Sequence, residues 1–297
     1  MSGSVSRARI YLRLGRVSNL PTVWTNVLAG MALSGAALRP SSVALVGLGA
    51  SLFYVGGMFL NDAFDRDIDA RERPERPIPA GLVSAREVFG AGYGLLGAGL
   101  ALVALHAALA GAGAAPIVAA ALLGGAIVLY DAWHKQNPLS PLVMGLCRVL
   151  VYATAALSAP GGKPGLAVAG GALALLFYLI GLTAIAKQEN LRSPQGAAAL
   201  GFLGVPFVYA LTGLFAGSVG ALAWAAMAGC TFHALRLLQS DRKGRVPAAV
   251  VTLIAGISLL DAALIAGSGA PGAEGAAAAA IAAFPLTLGL QRYVRGT

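Results

Sequence analysis

The chain has 297 residues, 58% of them hydrophobic and only 11% charged. A soluble domain carries about 25% charged residues, so this composition excludes a soluble globular protein and leaves a bilayer as the solvent. The formal net charge of +9 would suit nucleic acid if the basic residues formed one stripe, but they flank apolar stretches instead.

From the start of the chain, Arg7, Arg9, Arg13 and Arg16 run straight into an apolar stretch. That stretch is too long for the core of a cleavable signal, so no removed leader is expected. A membrane-spanning helix needs roughly 20 apolar residues. Ten stretches qualify, at about 18–38, 42–62, 87–110, 115–134, 138–159, 164–187, 196–216, 218–239, 246–268 and 274–291. The last is Ala-rich and weakly apolar, which leaves nine as the alternative. The fold expected is all-α: a polytopic transmembrane helix bundle of nine or ten helices, forming a single domain over 1–297. The 40 glycines suit close helix packing in lipid, and Gly90, Gly94 and Gly97 read as such a packing face. Cys147 and Cys230 lie inside apolar stretches, which argues against a disulfide framework or a zinc site.

The positive-inside rule fixes the register of the spans. With the N-terminus in the cytoplasm, eighteen Lys and Arg fall in inside segments and only Arg39 and Lys163 fall outside. The protein is therefore expected in the inner membrane, multi-pass, among anionic lipids. The longer polar loops lie on the cytoplasmic side, and chemistry is expected there.

Polar residues within or beside the spans are the functional candidates. Asn19 and Asn26 on the first span are seven residues apart and share a helix face; they face a cavity or hydrogen-bond between helices. At the end of the second span stands Asn61-Asp62-Ala63-Phe64-Asp65-Arg66-Asp67-Ile68-Asp69. At 100° per residue, Asn61, Asp62, Asp65 and Asp69 fall within an arc of roughly 100° while Asp67 points away. Three carboxylates on one face repel unless a cation sits among them, and hard oxygen donors suit Mg2+. The alternative is a solvated helix end paired with Arg66, Arg71, Arg73 and Arg76. Tyr130, Asp131, His134 and Lys135 end the fourth span. Tyr130 reads as a ring face for a cationic centre or as an interfacial anchor, and Asp131 and His134 as supporting groups or a solvated end. Arg148 lies inside the fifth span, where a guanidinium needs a polar cavity, a phosphate or an acid such as Glu189. His106 and His233 read as packing or interface residues, and Asp261, in the ninth span, as a polar helix contact outside the site.

The 61–69 stretch resembles the N-D-x-x-D-x-x-x-D motif of the UbiA superfamily of intramembrane prenyltransferases. Arg73-Pro74-Glu75-Arg76-Pro77-Ile78-Pro79-Ala80-Gly81 is similar to that family's continuation, Arg16-x-x-Asn19 with Asn26 resembles its first helix, and Tyr130-x-x-x-x-Lys135 its fourth-helix motif. The resemblance implies a helical bundle with a central cavity open to lipid, and Mg2+-dependent transfer of a prenyl group from a polyprenyl diphosphate to a small lipophilic acceptor. It implies Asp62, Asp65 and Asp69 as metal ligands supported by Asn61, with Lys135 beside them in catalysis. Substrate contacts are then expected from Asn19, Asn26, Arg73, Arg76, Tyr130, Arg148, Lys187 and Glu189. The prolines Pro74, Pro77 and Pro79 would stiffen a lid over the site. No nucleic acid and no obligate protein partner is expected.

The family's second acidic motif, K-D-x-x-D-x-x-x-D after the sixth span, is degenerate. Lys187 remains, but the aspartate positions read Gln188, Leu191 and Gln195, and only Glu189 offers a carboxylate. This departure keeps two other readings open: phosphoribosyl-type transfer to polyprenyl phosphate, or non-catalytic binding or transport of a prenylated precursor. The segments Leu14–Pro21 and Met144-Gly145-Leu146-Cys147-Arg148 are similar to the EboC-like branch of the superfamily, which is associated with bacterial gene clusters for secondary-metabolite precursors.

Overall fold

The computed structural model describes residues 6–135, 137–186, 194–240 and 244–294, the side chains of 194–199 excepted. Every regular element among them is helical. In chain order these are α1 (Arg7–Leu14), α2 (Leu20–Leu33), α3 (Pro40–Phe64), α4 (Arg66–Glu72), α5 (Ala85–Ala110), α6 (Ala115–Trp133) and α7 (Ser140–Ser158). They continue with α8 (Leu166–Ala186), α9 (Pro194–Tyr209), α10 (Leu211–Leu214), α11 (Ser218–Gln239), α12 (Arg245–Gly267) and α13 (Ala273–Gln291). Eight of these helices are long and apolar enough to cross a membrane, which makes the chain a multi-pass integral membrane protein. Among them is α13, the Ala-rich stretch. The first and seventh expected spans are shorter helices. α2 has 14 residues after a 3-10 turn at Val17–Asn19. α9 has 16 residues, and the chain breaks at Ala210 before α10 resumes.

Local chemistry sets the ends. Proline opens α2, α3, α6 and α7 within the first two positions, where its missing N–H costs no hydrogen bond. Ser84 caps α5 by accepting the Glu87 N–H at 3.1 Å, which satisfies one orphan donor of the first turn. α5 ends on Gly111 in the left-handed conformation, the usual stop for a helix.

α12 is the central helix, with 83% of its spanning segment buried, against 28% for α5 and α13. A helix apolar on all sides belongs in the middle of a bundle. In lipid, helices associate through van der Waals contact between small residues. The α3–α5 pair shows this directly. A methyl added to Gly56 would stand 2.9 Å from the Gly92 carbonyl oxygen, and one added to Gly99 would stand 2.9 Å from that of Gly49. The expected packing face at Gly90, Gly94 and Gly97 is corrected here: nothing lies within 4 Å of a methyl at any of the three. The glycines that pack are Gly92 and Gly99, seven apart and facing Gly49 and Gly56, also seven apart.

His106 is buried between α5 and α7, its Nε2 2.9 Å from the Ser158 carbonyl oxygen, which is a packing role. The amphipathic α1 lies across the α3–α5 pair. Ile10 and Leu14 pack with Phe59, Ala63, Val83 and Val88, and the Tyr11 hydroxyl donates to Glu87. The loops at 34–39 and 159–165 meet at one end of the bundle, where the Lys163 N–H donates to the Ser34 carbonyl at 2.9 Å. The carboxylates lie at the other end.

Candidate active site

α3 and α4 form an almost continuous helix with a single irregular residue, Asp65, between them. The Asp65 N–H still reaches the Asn61 carbonyl at 3.0 Å, and the Asp69 N–H reaches the Asp65 carbonyl at 2.9 Å. The helical arc therefore persists past the break. Asn61, Asp62, Asp65 and Asp69 are buried, at 8%, 8%, 5% and 2% exposure. Asp67 points out, its side chain 76% exposed and paired only with Arg66 at 3.4 Å.

Each buried carboxylate has a basic partner. Arg16 Nη2 is 3.0 Å from Asp62 Oδ1. Arg76 bridges two acids, with Nη1 3.3 Å from Asp62 Oδ1 and 2.6 Å from Asp69 Oδ2. His134 Nε2 and Lys135 Nζ stand 3.4 and 3.3 Å from Asp65 Oδ2. Burial works to raise the Asp65 carboxyl, but the hydrogen bond and charge of His134, with Lys135 beside it, hold it below the ordinary carboxylate value. His134 answers in kind: burial lowers it, and Asp65 overcomes that and raises it above 6.5.

Two of these partners depend on unusual backbone. Arg16 is the only non-glycine residue with positive φ among the described residues, at 42°. For such a residue the left-handed conformation costs roughly 1–2 kcal/mol, and strain of this kind tends to sit at functional sites. Here it folds the chain between α1 and α2 so that the guanidinium points at Asp62. Arg76 arrives on the proline-rich loop, which turns back through Ala80 N–H to Arg76 carbonyl and Leu82 N–H to Pro77 carbonyl bonds of 2.9 and 3.0 Å. Arg73, at the C-cap of α4, is exposed and forms no ion pair with the carboxylates among the described residues. Lys187 and Glu189 lie outside the described residues, with Gln188 and Leu191 of the degenerate second motif.

Behind the carboxylates opens a cavity of about 230 Å3, largely apolar. Arg16, Asn61, Tyr130 and Asp131 line its mouth. Phe53, Ile127, Val151, Leu182 and Ile257 line its body. Tyr130 stacks on His134 with centroids 4.9 Å apart. Asn19 also lines the wall; it donates to the Tyr54 hydroxyl at 3.2 Å and accepts from Gln291 at 2.7 Å.

Arg148 is in the wall as well, but well below the mouth. It stands eight residues into α7, or about 12 Å of helix. Its guanidinium lies 5.6 Å over the Tyr54 ring, and Tyr54 is eight residues before Asp62 on α3, the same depth. Arg148 donates to Asn26 Oδ1 at 2.7 Å and Thr22 Oγ1 at 3.2 Å. Asn26 in turn donates to Asp261 Oδ2 at 2.8 Å, and Thr25 and Tyr152 also donate to Asp261. Asn26 is fully buried and reaches the cavity only through Arg148. The acid nearest Arg148 in this network is thus Asp261, reached through one amide. Asp261 stays outside the carboxylate cluster, as a polar helix contact should.

Sequence reasoning left Arg16 as part of a first-helix pattern and left Asp131 and His134 open. The structure brings all three to the cluster. The i, i+4 pair Tyr130–His134 and the adjacent Lys135 are the available signal for His134; the Arg16-x-x-Asn19 pattern marks Arg16, but nothing local signals its pairing with Asp62.

Residues 23–192 match the profile of the UbiA prenyltransferase family. The digeranylgeranylglyceryl phosphate synthase of Methanopyrus kandleri is 33% identical over 210 residues, which is 68% of this chain and 70% of that protein. The chain belongs to the UbiA prenyltransferase family. It is, accordingly, a transferase of prenyl groups. The fold agrees. The apo structure of a UbiA homolog from Aeropyrum pernix superposes with a TM-score of 0.65 at 19% identity, covering 84% of this chain and 96% of the homolog. A UbiA homolog from Archaeoglobus fulgidus, solved bound to DMAPP and Mg2+, superposes with a TM-score of 0.50 at 16% identity, covering 96% and 99%.

Among the described residues no three His, Cys, Asp or Glu side chains converge as a ready cage for an ion. The donor set still fits Mg2+. It consists of hard oxygens, and Mg2+ is usually held by one or two carboxylates with waters and substrate phosphate completing its shell.

Proposed function

We propose that this UbiA family member transfers a prenyl group from a polyprenyl diphosphate to a small lipophilic acceptor, at the cytoplasmic face of the inner membrane, as a single-domain enzyme. One observation carries the reading: paired carboxylates and cations meet at the mouth of an apolar cavity in a membrane bundle. A polyprenyl diphosphate has the same division, a charged head and a greasy tail.

Asp62, Asp65 and Asp69 would hold Mg2+, with Asn61 in support, and the metal would supply Lewis-acid neutralisation of the leaving diphosphate. Arg16 and Arg76 carry planar donor forks suited to phosphate oxygens. They are already held beside the carboxylates and need only shift to the diphosphate, Arg16 from Asp62 and Arg76 from Asp62 and Asp69. Lys135 adds a third positive charge where the leaving group gains negative charge. The cavity walls shelter the tail and keep water from the allylic carbon. The Tyr130 ring offers its negative face to positive charge developing there. The DMAPP and Mg2+ bound by the A. fulgidus homolog support this reading. The excess of Lys and Arg in the sequence segments read as inside, eighteen against two outside, supports its cytoplasmic placement.

The test is release of pyrophosphate from labelled prenyl diphosphates of several lengths, with Mg2+ and a panel of acceptors. Activity that disappears in Asp62→Ala and Asp65→Ala is the expected result. Metal-dependent binding without turnover across all donors would defeat the reading, and consumption of phosphoribosyl diphosphate in its place would redirect it.

A further inference from the structure

Asp131 sits in the last turn of α6 and lines the cavity mouth, 4% exposed. Its Oδ1 accepts the Asn61 side-chain N–H at 3.2 Å. That bond fixes the Asn61 amide, whose Oδ1 then faces Arg16 at 3.4 Å, on the side of the carboxylate cluster. The second oxygen of Asp131, Oδ2, is buried and has no hydrogen-bond partner. Leaving a buried carboxylate oxygen unpaired carries the full desolvation penalty, so such an atom in a cavity wall marks a place for a ligand group.

The surroundings narrow the class of that group. A divalent cation at Oδ2 would be repelled by the Arg16 guanidinium, which faces the Asn61 amide that Asp131 holds. An anionic group at hydrogen-bond distance from Oδ2 would be set against the Asp131 carboxylate itself. A neutral donor, O–H or N–H, meets neither objection. We propose that Asp131 is an acceptor-binding residue whose Oδ2 takes a hydrogen bond from a hydroxyl or N–H of the acceptor. The acceptor class is then a lipophilic alcohol, phenol or amine rather than a carboxylate or phosphate at the bound end. Its donor group is held between the diphosphate site, on the Asn61 side, and the apolar body of the cavity.

The inference rests on the reading that an acceptor enters this cavity, and its test works without diphosphate or metal, so the two fail separately. The full-length protein in detergent micelles with EDTA is titrated with para-nonylphenol and with its methyl ether. A hydrogen bond gained on binding corresponds to roughly tenfold in affinity, so the wild type should prefer the phenol by about that factor. Asp131→Asn can keep the Asn61 bond through its carbonyl and turn its NH2 into the cavity, which should reverse the preference toward the ether. Asp131→Leu should remove any preference. Equal binding of phenol and ether by the wild type, or a phenol preference surviving in Asp131→Asn, overturns the proposal. Should either variant fail to fold, the wild-type comparison alone still decides it.

Discussion

The bundle holds two charged networks, and they are built on opposite principles. At the mouth, Asp62, Asp65 and Asp69 come from one helical stretch and meet their cations across ion pairs of 2.6 to 3.4 Å. Those partners, Arg16, Arg76, His134 and Lys135, come from flexible-ended side chains on three separate segments. Below it, Arg148 and Asp261 never touch. They are joined through Asn26, and Thr22, Thr25 and Tyr152 fill the remaining positions. The lower network is closed at its Asp261 end, where Asp261 and Asn26 are fully buried, and meets the cavity through Arg148. The upper one adjoins the cavity through Arg16 and Asn61, and Asp62, Asp65 and Arg76 each have two partners. Ionisable residues in a membrane protein are expected to be functional, but the contrast shows two kinds. Charges that can trade partners serve a ligand; charges whose partners are all protein groups hold α2, α7 and α12 together.

This contrast can be broken by mutation. The largest effect expected is on stability. Asp261→Ala leaves Arg148 without its nearest acid, and removing one partner of a buried charged network costs about 3–5 kcal/mol. Unfolding in mixed micelles should show that loss. A value near that of an ordinary surface substitution would make the lower network open as well. Asp62→Ala should do the reverse. Pyrophosphate release should fall by roughly 10²–10³, the usual cost of removing one charge-stabilising group from an active site, while unfolding midpoints stay close to wild type. Arg148→Lys lies between them. Lysine has no planar fork to span Asn26 and Thr22, so a loss of roughly 1–2 kcal/mol in stability is expected. If that variant instead loses turnover at unchanged stability, Arg148 belongs to the upper region in function.

The two networks also differ in how far they could be read from the chain. The upper acids are legible because helical spacing is local: positions i, i+1, i+4 and i+8 define a face before any tertiary contact exists. The span register is legible for the same reason, from hydropathy and charge. What escapes is whatever depends on a turn or on distant segments. Arg16 reaches Asp62 only because its backbone adopts φ of 42°, which no side-chain pattern announces. Asp261 meets Asn26 across 235 residues of sequence, so no local pattern joins the one to the other. The packing glycines were missed by register. Gly90, Gly94 and Gly97 show an attractive spacing, but α5 turns Gly92 and Gly99 toward α3, and only the partner helix decides that.

The smallest effect expected separates the upper network from the lower by pH. The Asp65–His134 pair sits outside the spans, and its two shifts point the same way. His134 is raised by Asp65 against burial, so its stabilisation is complete below its ordinary value of 6.5 and is lost as pH rises through the higher folded value. Asp65 is lowered by His134 and Lys135 against burial, so its contribution is present above the ordinary value of 3.8 and is lost as pH falls through the lower folded value. The pair is therefore at full strength in mildly acid solution and weakens on the alkaline side of neutrality, as His134 loses its proton. In metal-free buffer, wild type should be more stable than His134→Gln by about 1 kcal/mol near pH 5.5, with the gap closing by pH 8.5. Bound Mg2+ would compete for Asp65 and flatten the profile, so adding it should shrink the gap at pH 5.5. A gap that is independent of both pH and Mg2+ would mean that His134 packs against Tyr130 and does nothing for the carboxylate, leaving Lys135 as the partner that Asp65 exchanges for its ligand.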